Sequence, residues 1–196
     1  MIVDTMNLEE IYREVKLDFD ECLDNVYRLK DKYRRTIVKS KRFPLMFEPV
    51  FLQTKRNNKY MVIFISNSKK YERDTHFILV GLYLRPEGLY SINTFIFRDE
   101  LKLFIYPPHF FQRYRERILK EDITSKETVI KYFKNNFAFL GDITVGNQFH
   151  FRTNEGFILG EQIKNDIFLM KTIISNDMTK GNQTELSIDF DLRLVS

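Results

Sequence analysis

The sequence predicts an α+β fold in which a long N-terminal helix and two shorter helices pack on a twisted, mainly antiparallel sheet. Three observations carry this prediction. Apolar residues recur at every third or fourth position from Leu8 to Tyr33, the period of one helix face. Short runs rich in β-branched and aromatic residues, bounded by turn-forming residues, occupy 59–106 and 149–174. Two brief helical stripes lie between those runs.

The elements follow in chain order. Asn7 caps the first helix, Glu9 and Glu10 acidify its first turn, and Glu10 is spaced to close a capping box. Leu8, Ile11, Val15, Phe19, Cys22, Leu23, Val26, Leu29 and Tyr33 form its apolar stripe, and the helix ends near Val38. After Pro44 and Pro49 the texture changes. Lys59 to Ser66, Thr75 to Leu84, Tyr90 to Phe97 and Lys102 to Tyr106 read as strands, with Arg85-Pro86-Glu87-Gly88 as a turn between two of them. Pro107 and Pro108 end the last strand and open a helix carrying His109. Ser125 caps a further helix with Val129, Ile130, Phe133 and Phe137 as its stripe. Phe149 to Thr153, Gly156 to Gln162 and Asp166 to Ile174 read as three strands joined by tight turns at Asn154-Glu155 and Lys164-Asn165.

The chain has 196 residues, of which 43% are hydrophobic and 30% charged, which fits one domain spanning 1–196. Within it the long helix covers 7–38, the α+β core 59–178, and a C-terminal strand or tail 179–196, where Leu186, Ile188, Phe190, Leu192 and Leu194 alternate. Cys22 is the only cysteine, so an intrachain disulfide and a cysteine-based zinc site are both excluded. Its place in the apolar stripe points to packing rather than reactivity. No run of 18 apolar residues occurs, and the acidic N-terminus lacks the basic segment of a signal peptide, so the expectation is a cytoplasmic protein with no membrane partner. His76, His109 and His150 are scattered, and no glycine-rich nucleotide loop, calcium loop or serine elbow is present; no metal or cofactor is expected.

Thirty-one Lys and Arg against 27 Asp and Glu leave a formal charge of +4, which permits a nucleic-acid partner without requiring one. The excess concentrates at the distal end of the first helix, where Arg28, Lys30, Lys32, Arg34, Arg35, Lys39, Lys41 and Arg42 face only Asp31. Cations there also complement the helix dipole, so structure accounts for part of the run. Arg34, Arg35, Lys39, Arg42 and, further on, Arg115 are the candidate RNA contacts. Tyr60, Tyr71, Tyr83, Tyr90 and Tyr106 are candidates for base stacking.

The run from His109 to Arg117 is the most specific chemical signal. His109, Arg113 and Arg117 lie four apart, so a helix stacks their polar heads along one side, while Phe110, Phe111, Tyr114 and Ile118 make the apolar side. Cleaving RNA through its 2'-hydroxyl needs proton transfer and cationic donors around the phosphate, and an imidazole with two guanidinium groups supplies both. The bland reading is an ordinary amphipathic helix whose arginines pair with carboxylates. Lys171 and Glu155 are further catalytic candidates, the first to stabilise phosphate charge and the second as a base. Asn154 and Gly156 equally serve a turn, and Lys171 a solvated strand.

The His-x-x-x-Arg-x-x-x-Arg helix, followed by a second short helix and strands over about Lys102 to Asp177, resembles the BrnT-type toxins and related small proteins of the RelE/barnase-like ribonuclease class. The resemblance implies helices packed on a twisted antiparallel sheet, metal-independent RNA cleavage and neutralisation by a protein partner. The helix of residues 7–38 and the strands before Tyr106 lie outside the compact toxin pattern. The alternative is a non-enzymatic interaction or regulatory protein, with the long helix as the interface to a protein partner or a second copy. Its apolar stripe needs a cover from either the chain's own sheet or a partner.

Overall fold

The computed structural model describes residues 1–73, 75–137, 140–143 and 145–178. Helix α1 spans Leu8–Lys39. The Asn7 side chain accepts the N–H groups of Glu9 and Glu10 at 3.0 Å each, and Glu10 accepts the Asn7 N–H at 2.8 Å, completing the expected capping box. At the other end the Ser40 N–H closes the last turn onto the Thr36 and Ile37 carbonyls. Ile11, Val15, Cys22, Val26 and Ile37 are fully buried, so the chain's own sheet covers the stripe. Burial pushes the Cys22 thiol up to about 12, aided by Asp18 and Glu21, which suits a packing role.

Among the described residues ten strands form one sheet: β1 (Leu45–Met46), β2 (Val50–Gln53), β3 (Lys59–Ser66), β4 (His76–Arg85), β5 (Gly88–Phe97), β6 (Glu100–Tyr106), β7 (Leu140–Ile143), β8 (Gln148–Arg152), β9 (Gly156–Lys164) and β10 (Ile167–Ser175). Their order is β1-β3-β4-β5-β6-β10-β9-β8-β7, with β2 also pairing β3. Every pairing is antiparallel except that of β6 with β10, where Leu103, Phe104 and Ile105 face Ile167, Phe168 and Leu169 in parallel. The strands expected between 59 and 106 are present as a meander. Strands β1, β2 and β7 are additional, being too short to show a period in sequence. The alternating run after Glu185 lies outside the described residues.

From β3 to β6 the sheet is covered on both faces. Strand β3 explains why: its run Tyr60 to Ile65 is apolar without alternation, as a strand buried on both sides must be. Tyr60, Val62 and Phe64 pack with Cys22 and Val26 of α1. Met61, Ile63 and Ile65 pack on the other side with helices α2 (Pro108–Tyr114) and α3 (Ser125–Asn135). Burying each such side chain is worth about 1.5–3 kcal/mol, so β3 is a strong apolar element of the fold although it lies near one edge of the sheet. The α2–α3 layer is aromatic: Tyr132 lies 5.4 Å from Tyr106, 5.2 Å from Phe110 and 5.1 Å from Tyr114, between ring centroids. The contacts with Phe110 and Tyr114 are edge-on and that with Tyr106 is tilted, geometries that add to area burial. No helix among the described residues is long and apolar enough to cross a membrane.

A polar hub interrupts the apolar seam between α1 and the sheet. Asp18 is fully buried, and one of its oxygens accepts from Asn58 Nδ2 at 2.6 Å, Thr54 Oγ1 at 3.1 Å and the Tyr60 hydroxyl at 3.1 Å. One turn earlier Glu14 accepts from Arg56 Nε at 3.0 Å, from Asn58 at 3.2 Å and from the α-amino group of Met1. Glu14 and Asp18 share a helix face at four-residue spacing, so the β2–β3 turn supplies matching donors to both. The Arg56 guanidinium holds the Glu14 carboxyl down to about 2 against the opposing effect of burial, with the Met1 amine and Asn58 assisting.

Replacing Asp18 by Ala is expected to cost roughly 3 kcal/mol, because three buried donors lose their acceptor. Urea unfolding measures it, and a loss under about 0.5 kcal/mol would show that the hub does not brace α1. The folded pKa of Glu14 lies below the ordinary carboxylate value of 4.5. Its stabilising contribution is therefore complete above about pH 4.5 and is lost as the pH falls toward about 2. The stability gap between the wild type and Glu14→Gln should close across that window.

Candidate functional site

Helix α2 starts as the proline pair predicts: Pro107 occupies the cap with extended backbone and Pro108 the first turn, where a missing N–H costs nothing. The α-helix stops at Tyr114. Arg115–Leu119 form a π turn, closed by the Lys120 N–H on the Arg115 carbonyl at 2.7 Å, with Lys120 left-handed at φ 54°. Phe110, Phe111 and Tyr114 are buried, as the expected apolar side requires.

The four-apart residues have separate surroundings. His109 is exposed and lines a cleft of about 350 Å³ with Gly88, Tyr90, Gln112, Arg115 and Ser125. Arg113 is exposed and pairs with Glu116 at 3.3 Å. Arg117 is half-buried and donates to Thr172 Oγ1 at 3.2 Å and to the Ile173 carbonyl at 2.8 Å. A pair such as Arg113–Glu116 on an exposed helix is worth about 0.2–0.5 kcal/mol, so a phosphate would readily displace the carboxylate. Arg117 fastens the π turn to β10 and would have to release a backbone carbonyl. Arg115 donates to the Ile123 carbonyl at 2.9 Å and holds the link between α2 and α3.

Glu155 sits on the β8–β9 turn and accepts from the Tyr114 hydroxyl at 2.6 Å, Asn136 Nδ2 at 2.6 Å and Asn135 Nδ2 at 2.9 Å. Three donors occupy its two oxygens, an arrangement that clamps the turn to α2 and α3. Burial and the Glu155 carboxylate both push the Tyr114 hydroxyl well above its usual range, so it stays a donor. Gly156 follows for a reason other than turn geometry: a Cβ there would collide with the Ile174 carbonyl of β10. Lys171 occupies the register break between Met170 and Thr172 and pairs with Glu161. No group of three His, Cys, Asp or Glu among the described residues is placed to hold a metal ion.

The cationic candidates lie on the outer side of α1. Arg28, Lys32, Arg35 and Lys39 are all exposed and recur at steps of four, three and four. They line one face for about 16 Å of helix. Arg34 pairs with Glu72 at 3.2 Å, and Arg34, Arg35 and Lys39 line a shallow hollow of about 440 Å³ with Asp31 and Val38. Arg42 is exposed just beyond the helix end. The Arg34–Glu72 pair draws in a segment outside the sequence-derived candidates, the β3–β4 connection with exposed Lys69, Lys70 and Arg73. Its charges are visible in the sequence, but only the fold sets them beside α1. Of the tyrosines proposed as stacking platforms, Tyr60, Tyr83 and Tyr106 are buried, whereas Tyr71 and Tyr90 are half-buried.

Compared with family models, curated proteins and solved structures, the chain matches none.

Glu155→Ala is expected to destabilise the protein by about 2 kcal/mol and Tyr114→Phe by about 1 kcal/mol, since the first strands three donors and the second only removes one. The double variant should lose less than the sum, which denaturant titration of the full cycle measures. Additive losses would show that the two groups are not bonded.

Proposed function

We propose that the protein binds RNA along the outer face of α1 and the adjoining β3–β4 connection. The observation that carries this reading is the Arg34–Glu72 contact, which brings the segment with exposed Lys69, Lys70 and Arg73 to α1, the helix that carries the ladder of Arg28, Lys32, Arg35 and Lys39. A helix dipole accounts for cations in the last turn of a helix, but not for a ladder starting three turns earlier or for cations on a separate segment. Aligned exposed cations are what a phosphate backbone recognises, by neutralisation and counterion release. The resemblance of the His109 to Arg117 run to toxin-type ribonucleases favours RNA over DNA as the polyanion. Binding without cleavage is the stronger form of the reading, because Glu155 and Lys171 are already engaged and Arg117 is tied to β10.

Fluorescence anisotropy with a labelled single-stranded RNA should give an affinity that falls steeply with salt. Replacing Arg28, Lys32, Arg35 and Lys39 by Gln should flatten the logarithmic salt slope by about 3, at roughly 0.7 per lost phosphate contact. Affinity independent of salt, or unchanged in the variant, would overturn the proposal. The same mixtures in chelator should retain intact RNA. Strand breaks that disappear in the His109→Ala, Arg113→Ala variant would instead assign a metal-independent nuclease to the α2 cleft.

A further inference from the structure

At the other end of β3 and β4 from the cationic face, we infer a binding cleft for an amphipathic organic anion, a carboxylate or similar head group on an apolar body. The cleft has a volume of about 600 Å³, and Phe51, Leu52, Leu82, Leu84 and Leu89 from β2, β4 and β5 supply its apolar lining. That volume falls in the range of small-molecule sites. Leu84 is 71% exposed and Phe51 46% exposed, so the fold holds apolar groups open to water there. A ligand's apolar body would cover them.

The charges lining the cleft have one sign. Lys59 and Lys126 both line it, no acidic residue does, and neither lysine has an ion-pair partner among the described residues. Lys126 lies 4.2 Å from the centre of the Phe51 ring. It also stands in the first turn of α3, where the helix dipole disfavours a cation, so helix stability does not account for it. An anion seated beside it would offset both charges.

Apolar lining and two lysines without ion-pair partners select an apolar anion over a neutral lipid or an organic cation.

Decanoate, held below its micellar concentration, is the probe, with calorimetric titration of the full chain as the readout. One molecule should bind per chain, with decanol about tenfold weaker and decylammonium undetectable. The Lys59→Gln, Lys126→Gln double variant should bind decanoate about tenfold less tightly and decanol unchanged. Leu84→Asp, a change at an exposed position that leaves the core intact, should abolish uptake of both. Equal binding of decanoate and decylammonium, decanoate affinity unaltered in the lysine variant, or no uptake by the wild type would each overturn the inference.

Discussion

Three parallel residue pairs, Leu103 with Ile167, Phe104 with Phe168 and Ile105 with Leu169, join the two halves of this protein. One side of that seam is the meander from β3 to β6; the other is the meander from β7 to β10. A parallel pair cannot be closed by a hairpin, so the chain must cross over a face of the sheet between β6 and β10. Helices α2 and α3 form that crossover, and the aromatic set of Tyr106, Phe110, Tyr114 and Tyr132 fixes them to the sheet. The Glu155 clamp and the reach of Arg117 to β10 both follow, since each ties a crossover helix to the far half of the sheet.

With one face taken by the crossover, α1 covers the other along β3 to β6. Its rotation is fixed by what it buries. Cys22, Val26 and Ile37 face the sheet, and Glu14 and Asp18 meet the donors of the β2–β3 turn. The ladder of Arg28, Lys32, Arg35 and Lys39 must then face water. The same packing carries the end of α1 over the β3–β4 connection, where Tyr33 contacts Phe64 at 5.0 Å and Arg34 meets Glu72. Core packing thus assembles a cationic surface from distant segments and leaves the organic-anion cleft at the other end of the strands.

Local chemistry was readable before the fold was known. The capping box at Asn7, the proline start of α2 and the turn between β4 and β5 are written in adjacent residues, and the structure has each of them. The parallel seam was not readable, because the apolar pattern of β6 is satisfied by any neighbour and its partner lies more than sixty positions away. Nor was the π turn, which depends on how Arg117 and Arg115 find acceptors outside the helix. For the same reason His109, Arg113 and Arg117 could be placed on one helix but not given their surroundings. Gly156 looked like a turn residue, whereas its lack of a side chain serves the close approach of β10. Lys69 and Lys70 carried no signal until Arg34 and Glu72 met.

Photochemical cross-linking of the wild-type protein to single-stranded RNA, followed by mass-spectrometric mapping of the linked peptides, locates the RNA on the protein surface. Adducts are expected within 28–42 and 69–73, the two segments joined by the Arg34–Glu72 contact. Adducts confined to α2 and the β8–β10 strands, with none on α1, would contradict RNA binding along α1 and place the RNA on the crossover face.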